Sequence, residues 1–211
     1  MVSYATYVNA AKIVYIRAMK RGDIVEQTRQ KLLMAGRQAF ARYGYHAASM
    51  DQLTADVGLT RGALYHHFGS KRGLREAVVE QIDTEMATRL RDGLREATDR
   101  RQALVDEGVA YIKLALEPEF QRIVLLDGPA VLGAPMHWPS QNACLTGTIE
   151  RIQHLVDSGE IAPVDPEAAA RLLDGAVLDA AMWIAASDNP PAVAQRAIDA
   201  FVRLASGLIA R

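Results

Sequence analysis

The sequence predicts an all-α protein in which a small N-terminal domain of three helices precedes a larger helical bundle, with about nine helices in total. Three observations support this fold class. Apolar residues recur at three- and four-residue steps through most of the 211 residues, which is the period of an amphipathic helix. Residues that favour helices (Ala, Leu, Arg, Glu and Gln) dominate, while runs of β-branched residues are few. Gly and Pro cluster between the periodic segments, as turns require.

The first two predicted helices are delimited by residues that favour helix ends. The first covers residues 24–43 and is followed by Gly44, which readily adopts the left-handed conformation common after a last turn. Ser49 followed by Gln52 predicts a capping box, in which the hydroxyl accepts from a backbone N–H and the amide reaches back to the helix start. This second helix is short and ends near Gly58.

Two more helices follow directly. Thr60 is the predicted N-cap of a short third helix that runs to about His67, and Ser70 is the predicted N-cap of a longer fourth helix. The second and third helices have about two turns each, and a tight turn containing Gly58 joins them. Residues 49–68 therefore predict a helix-turn-helix motif.

The rest of the chain is acidic, rich in alanine and helical in its pattern. Five further helices are predicted here, over residues 100–116, 118–127, 140–158, 166–187 and 190–210. The breaks between them contain Gly and Pro. We therefore divide the chain into an N-terminal extension, a helix-turn-helix domain and a helical body, over residues 1–24, 25–87 and 88–211.

Charge is distributed unevenly along the chain. Residues 1–75 contain twelve Lys and Arg against four Asp and Glu, a net of +8, whereas residues 76–211 contain twelve against twenty-one, a net of −9. A basic end on an otherwise acidic chain is typical of a protein that meets a polyanion. The alternative is a chance difference between two solvated surfaces.

Cysteine content and hydropathy favour a cytoplasmic protein. Cys144 is the only cysteine, so the sequence holds no disulfide framework and no cysteine-based zinc pattern, which fits a reducing compartment. No apolar run reaches the ~18–20 residues of a membrane span. Lys12 and Arg17 interrupt the moderately apolar N-terminus, so we do not expect a signal peptide.

The third predicted helix carries side chains that suit DNA. In a helix-turn-helix the second helix lies in the major groove, and residues near its N-terminus meet base edges. Arg61 can donate two hydrogen bonds to guanine, and Gly62 and Ala63 are small enough for close approach to bases. Tyr65 lies four residues beyond Arg61, so we expect both on one face. Lys71, in the first turn of the next helix, can bind a phosphate together with free backbone N–H groups.

The stretch AGRQAFARYGYHAASMDQLTADVGLTRGALYHHFGSKRGL resembles the N-terminal domain of the TetR family of bacterial transcriptional regulators. The resemblance covers the helix ending in F…YG, the capped second helix, the run GLTRGALY and the following HF and SKRGL. It implies a DNA-binding regulator that works as a homodimer. By this resemblance, six residues fall at DNA-contacting or phosphate-binding positions: Ser49, Thr60, Arg61, Tyr65, His67 and Lys71. Four others fall in the core of the small domain: Leu53, Leu64, Phe68 and Leu74.

The adjacent histidines do not predict a metal site. Neighbouring side chains on a helix point about 100° apart, so His66 and His67 cannot hold one ion from one face. We expect His67 beside a phosphate and His66 at the groove edge or in solvent. His137 and His154 flank Cys144 in the sequence, but an ordinary buried thiol is favoured over a nucleophile pair. No common hydrolase, nucleotide-binding or metalloprotease motif is present, so we expect no catalytic residue, no metal and no cofactor.

Two stretches of the body, FQRIVLLDGPAVLG and LLDGAVLDAAMWIAASD, resemble the ligand-binding domain of one TetR subgroup. Ala134 stands where that subgroup often has tryptophan, which should reshape any pocket. Apolar and aromatic groups with a few polar ones are typical of effector sites, although plain core packing is the alternative for each residue. The candidate lining residues are Tyr111, Leu114, Leu126, Met136, Trp138, His154 and Trp183.

The last two predicted helices are the candidates for a symmetric dimer interface, which the regulator needs because two recognition helices must reach successive major-groove faces. Each has a stripe at helical spacing, and the alternative use of both stripes is intramolecular core. The candidate interface residues are Leu172, Ala176, Asp179, Trp183, Val193, Ala197, Phe201 and Leu204.

Residues 1–22 allow two interpretations. Their apolar residues keep helical spacing, so the segment can extend or precede the first helix and bring its four cations, Lys12, Arg17, Lys20 and Arg21, to the DNA backbone. We favour the other interpretation, an extension of little consequence with Met19 as the original start.

Taken together, the residues predict a homodimeric DNA-binding transcriptional regulator that represses from a palindromic operator and is released by a small apolar or amphipathic effector. Two alternatives stay open at this point. One is a small-molecule-binding or enzymatic helical bundle whose basic domain is incidental. The other is a ligand-independent or activating regulator.

Overall fold

The computed structural model describes residues 4–94 and 99–209, apart from the side chains of residues 4–21, Arg91, Leu94, Ser140 and Ile209. Within these ranges the backbone is helical and no residue is in a β-strand. The all-α prediction is therefore confirmed. In the same ranges, no helix combines the length and the apolar character needed to cross a membrane.

Ten α-helical segments form the described chain. In order they are α1 (Tyr4–Ala47), α2 (Met50–Asp56), α3 (Arg61–Phe68), α4 (Lys71–Leu94), α5 (Arg100–Leu114), α6 (Pro118–Phe120), α7 (Gly128–Leu132), α8 (Pro139–Asp157), α9 (Pro166–Ala185) and α10 (Pro190–Ile209). A π-helical segment (Gln121–Leu126) follows α6, and a short 3₁₀ turn (Pro135–His137) precedes α8.

Two predicted boundaries differ from the structure. The first helix begins at Tyr4 instead of residue 24, because the helical spacing of the N-terminal segment continues into the next one. The predicted helix over residues 118–127 is mostly π-helical, and the predicted loop after it contains α7 and the 3₁₀ turn. Pro118 and Pro135 are the first residues of α6 and of the 3₁₀ turn, and Pro129 is the second residue of α7, since proline suits the first turn of a helix. The predicted DNA contacts of Lys12, Arg17, Lys20 and Arg21 lie outside the described side chains.

The described helices belong to two compact units. The first comprises residues 1–39 and 48–78. Its core includes Leu32, Leu53, Leu64 and Leu74, each at most 3% exposed, which confirms the core prediction for the last three. A Cβ on Gly36 would lie 2.9 Å from Leu74 Cδ2, so the absence of a side chain at this position lets α1 and α4 pack closely.

The second unit comprises residues 40–47 and 79–211. In it α5, α8, α9 and α10 pack on one another and bury an apolar cluster that includes Leu104, Ile152, Leu155 and Ala170. Residues 40–47 at the end of α1 contact the rest of this unit through a hydrogen bond, in which the Tyr45 backbone N–H donates to Asp127 Oδ2 at 2.8 Å.

Gly44 breaks the regular geometry of α1, and its backbone conformation can be tested by substitution. Its φ of 75° lies in a region that favours glycine, so a side chain here is strained even if the end of the flexible Arg122 side chain moves away from the added Cβ. We expect Gly44→Ala to lower the free energy of unfolding by about 1–3 kcal/mol, measured by urea denaturation. Gly93→Ala is the control, since no atom lies within 4 Å of an added Cβ there, and it should be neutral or slightly stabilising. Equal stabilities for the two variants would contradict this assignment of strain to Gly44.

Candidate functional site

The turn between α2 and α3 has a defined geometry. Gly58 has a φ of 67° and donates its N–H to the Ala55 carbonyl at 3.0 Å, while Leu59 N–H donates to the Thr54 carbonyl at 2.8 Å. These two bonds form a Schellman motif, in which a left-handed glycine satisfies the last carbonyls of a helix. Because the turn is fixed by local hydrogen bonds, the start of α3 is fixed with it.

Side-chain caps start both helices of the motif. Ser49 Oγ accepts from Gln52 N–H at 3.3 Å, and Thr60 Oγ1 accepts from Ala63 N–H at 3.2 Å, so both predicted N-caps are confirmed. The predicted capping box is incomplete, however. The Gln52 side chain instead donates to Asp56 Oδ1 at 2.6 Å, a carboxylate one turn further along the same helix face.

The exposed face of α3 contains two of the predicted DNA-contacting residues. Arg61 and Tyr65 are both exposed, and Arg61 Nη2 donates to Tyr65 Oη at 3.1 Å with the guanidinium 5.4 Å from the ring centroid. This contact confirms that the two residues share a helix face. Gly62 is also exposed and Ala63 is half-buried, while the intervening Leu64 is fully buried in the core. The helix is thus held by one face and leaves the opposite face accessible.

Asp51 belongs to the same surface and was not identified from the sequence. Both of its carboxylate oxygens lie 3.3 Å from Arg61 Nη1. The hydrogen bond to Tyr65 and the charge of Asp51 together raise the pKa of Arg61 above its ordinary value. An acidic residue in the first turn of α2 was the available signal, but its contact with Arg61 depends on how α2 and α3 pack.

The neighbouring histidines differ in exposure. His66 is exposed, whereas His67 is half-buried beside Phe68, with ring centroids 6.3 Å apart. The two histidine rings meet edge to face at 5.3 Å. Across residues 4–94 and 99–209, no three His, Cys, Asp or Glu side chains are placed to hold a metal ion. The predicted phosphate contact of His67 stays a prediction.

Lys71 has a structural partner that the sequence did not reveal. Its Nζ donates to the Ala48 carbonyl at 2.7 Å, and burial lowers the pKa of this ammonium group. At the same helix end, Ser70 Oγ accepts from Gly73 N–H at 3.0 Å, so the predicted cap is confirmed and one of the helix-start N–H groups is already bonded. A phosphate contact by Lys71 stays a prediction, and it would have to coexist with the bond to Ala48 or replace it.

A second candidate site is a cavity of about 50 Å³ in the helical body. Its apolar wall includes Leu90, Leu104, Val177 and Phe201. The Phe201 ring reaches the cavity because Gly108 has no side chain: a Cβ there would lie 2.3 Å from Phe201 Cζ. The polar wall consists of Glu107, Tyr111, Gln141, Cys144, Thr148 and Asp174.

The polar wall is strongly acidic. Glu107 pairs with Arg151, and burial is the main reason why the pKa of Glu107 is raised. Thr148 Oγ1 lies 3.2 Å from Asp174 Oδ1 and 3.1 Å from the Cys144 carbonyl, so its one proton serves two acceptors. Among the described residues, no group donates a hydrogen bond to the buried Asp174 Oδ2. Asp174 belongs to the cavity wall, and a buried carboxylate oxygen without a donor is unfavourable for folding, so Asp174 is a candidate binding residue.

Both the helix-turn-helix domain and the helical body match known protein families. Residues 32–78 match the family model for "Bacterial regulatory proteins, tetR family", and residues 101–208 match that for "Tetracyclin repressor-like, C-terminal domain". The chain belongs to the TetR family. Members of this family are DNA-binding transcriptional regulators and not enzymes, which confirms the function class and the non-enzymatic prediction.

Solved structures match nearly the whole chain, and one of them is 44% identical. It is a TetR-family transcriptional regulator from Pectobacterium atrosepticum, with a TM-score of 0.81, covering 90% of this chain and 97% of that one. Two curated TetR-type relatives match at 38% identity: the transcriptional activator FasR of Mycolicibacterium smegmatis, over 37% of this chain, and the transcriptional repressor AcnR of Corynebacterium glutamicum, over 31%. The matched segments span about a third of these relatives' own length, 36% and 35%.

Most of the predicted lining residues lie outside the TetR-body cavity described above. Tyr111 lines it, with its hydroxyl accepting from Gln141 Nε2 at 3.0 Å. Leu114 is core, and Trp138 is buried with its ring against Gly128 and its Nε1 donating to the Gly133 carbonyl. The other four are at the surface: Leu126, Met136, His154 and Trp183. The prediction for this cavity is corrected because aromatic and apolar content does not distinguish a pocket wall from core or from exposed surface.

A spacing signal for the actual cavity exists in the sequence. Leu104, Gly108 and Tyr111 lie on one face of α5, and Gln141, Cys144 and Thr148 recur at three- and four-residue steps on α8. A polar stripe among alanine-rich helices can line either a surface or a cavity. The tertiary packing of α5 against α8 and α9 decides between these.

The eight predicted dimer residues divide into two groups. Leu172, Trp183 and Leu204 are 76%, 46% and 69% exposed in the single chain, and Asp179 is exposed and Ala176 half-buried beside them. The other three are buried within the chain: Val193, Ala197 and Phe201. Their assignment to the interface is corrected, because this stripe of α10 packs toward α5 and α9.

Asp174 gives the TetR body a testable dependence on pH. Burial raises the pKa of this carboxyl to about 6, with Glu107 adding to the rise and Thr148 and Arg151 opposing it. Because the unfolded value is about 4, the stability from protonated Asp174 is present below pH 4 and is lost as the pH rises through 6. We expect Asp174→Asn to raise the free energy of unfolding at pH 7.5 by roughly 1–3 kcal/mol and to flatten the profile between pH 4 and 7.

Urea denaturation across this pH range checks that expectation. Asp188→Asn removes the same charge from an exposed position and should leave the profile as it is. An Asp174→Asn variant that is less stable than the parent at pH 7.5 would contradict the assignment.

Proposed function

We propose that this chain is a repressor that binds a palindromic DNA operator as a homodimer and is released when a small molecule occupies the cavity of the helical body. The observation that supports DNA recognition most directly is the Arg61–Tyr65 pair on the exposed face of α3. Residues near the start of the second helix of such a motif meet base edges in the major groove. A protein with this function acts on the bacterial chromosome, so the proposal includes a cytoplasmic location.

The proposed contacts with DNA follow from the chemistry of each side chain and its position in the helix-turn-helix. Arg61 is proposed to donate to guanine, with Gly62 and Ala63 allowing close approach and Tyr65 reaching a base or a phosphate. Phosphate contacts around these base-contacting residues fix the position of α3 on the duplex. They are proposed for Ser49, Thr60, His67 and Lys71, while His66 is proposed to lie at the groove edge.

Dimerisation is proposed through the exposed apolar side chains of α9 and α10. Leu172, Trp183 and Leu204 remain exposed in the single chain, and large exposed apolar side chains on adjacent helices favour association with a second copy. Arg196 lies over the Trp183 ring, 5.3 Å from its centroid, and this contact favours one orientation of the indole. Two copies joined in this way would present two α3 helices to two half-sites.

Release of the operator requires that the effector binds the conformation that does not bind DNA better than the conformation that does. A hundredfold preference for the conformation that does not bind the operator corresponds to about 2.7 kcal/mol. The proposed effector site is the cavity bounded by Tyr111, Asp174 and Phe201. The sign of regulation is part of the proposal, since the relatives include both an activator and a repressor by name.

Selection of bound fragments from the genome that encodes the chain, followed by footprinting, tests this function. The expected result is a protected palindrome whose half-sites are separated by about one helical turn or a multiple of it. Transcription from a promoter that contains the palindrome should fall when the protein is added. Failure to enrich any sequence above random fragments would overturn the proposal, and a rise in transcription would establish an activator instead.

A further inference from the structure

The cavity in the helical body carries an imbalance of charge that specifies the chemistry of its ligand. Two carboxylates, Glu107 and Asp174, belong to its wall. Arg151 neutralises Glu107 by a direct ion pair. Asp174 Oδ1 shares the single Thr148 proton with another acceptor, and Oδ2 is buried without a hydrogen-bond donor in the described part of the chain. One carboxylate therefore remains without a full counter-charge.

The shape of the cavity adds a second constraint. Opposite the polar wall lie Leu90, Val177 and the ring of Phe201. About 50 Å³ of space exceeds the ~10–15 Å³ that one water molecule needs, so a group of several heavy atoms fits. A ligand that matches both walls has an apolar frame and one polar head directed at Asp174.

We propose that this cavity binds a small primary amine in its protonated form, with the ammonium group donating to Asp174 Oδ2 and the apolar frame against Phe201. This inference rests on the proposed effector role of the cavity and defines its ligand class. An anion would approach two carboxylates and one guanidinium, a net negative wall. A neutral alcohol could donate one hydrogen bond but would leave the carboxylate without a counter-charge.

Matched ligands separate these cases. Methyl, ethyl and n-propyl frames, which suit a cavity of about 50 Å³, are each tested as the amine, the alcohol and the carboxylate, by isothermal titration calorimetry on the full chain at pH 7.5. Asp174 is ionised at this pH, since its pKa is about 6. We expect at least one amine to bind saturably with one site per chain, and roughly 10- to 100-fold more tightly than its alcohol and carboxylate counterparts.

Two variants assign the selectivity. Asp174→Asn keeps the shape of the side chain and should remove the preference of the amine over the alcohol. Asp188→Asn, which removes an equal charge from the surface, should retain that preference. No saturable binding by any of the three amines, equal or tighter binding of the carboxylates, or an unchanged preference in Asp174→Asn would each overturn the proposal.

A separate readout distinguishes the ligand class from the function on which it rests. The amine that binds is added to the complex of the protein with its selected operator, and the fraction bound is followed by fluorescence anisotropy. Release of the DNA supports both the ligand class and the effector role. Saturable, Asp174-dependent amine binding without release would support the amine site and would contradict ligand-induced release.

Discussion

The double substitution Arg61→Ala/Tyr65→Ala is expected to lower the affinity for the selected operator by roughly 100-fold or more at constant salt. Both side chains lie on the exposed face of α3 and contact each other there, and one well-placed contact to a base edge alone changes affinity by roughly 10-fold or more. The fold should tolerate the change, because exposed ion pairs such as Arg61–Asp51 contribute little to stability. Fluorescence anisotropy with labelled operator measures the effect.

The salt dependence of binding identifies what kind of contact has been lost. Loss of a base contact lowers the affinity for the operator more than that for random DNA, whereas loss of one phosphate contact reduces the slope of log K against log salt by about 1. Arg171→Ala is the control, since Arg171 is an exposed arginine that is ion-paired to Glu167 on α9. If Arg61→Ala/Tyr65→Ala and Arg171→Ala bind the operator alike, α3 is not the recognition helix.

The second large effect is expected at the proposed dimer interface. Leu172→Glu/Leu204→Glu places a charge at two exposed apolar positions, and each substitution counts twice in a symmetric dimer. Loss of buried apolar surface, at about 1.5–3 kcal/mol for each leucine, together with the burial of unpaired charge, should raise the dimer dissociation constant by roughly a thousandfold or more. Operator affinity should fall with it, because a monomer holds one recognition helix.

Sedimentation velocity over a range of protein concentrations measures this effect. Ala143→Glu, which introduces the same charge at an exposed position on α8, should leave the oligomeric state unchanged. Circular dichroism should show equal helix content in all three proteins. A Leu172→Glu/Leu204→Glu protein that sediments like the parent would place the symmetric interface elsewhere.

The features that could be predicted from the sequence are those that depend on local geometry. Ser49, Gly58 and Thr60 act within a few residues of their partners, so residue type and spacing were enough to place the caps and the turn. The shared face of Arg61 and Tyr65 follows from a four-residue step in the same way.

The features that could not be predicted depend on contacts between distant residues. Glu107 and Arg151 are 44 positions apart, and Thr148 and Asp174 are 26 apart. No single helix shows that these side chains enclose one cavity. The burial of Phe201 and the exposure of Leu204 were equally inaccessible, because a stripe of apolar residues does not specify whether it packs inside the chain or against a second copy.

Phe201 and Leu204 lie one turn apart on α10, yet one lines the cavity and the other is exposed to solvent. A ligand that displaces the Phe201 ring therefore acts on the same rigid helix that carries a proposed dimer contact. If the two events are linked, thermodynamic reciprocity requires that self-association changes ligand affinity by the same factor as ligand changes self-association. The apparent effector affinity would then depend on how much protein the cell contains. The fraction of protein bound to DNA would therefore respond to both the expression level and the effector concentration.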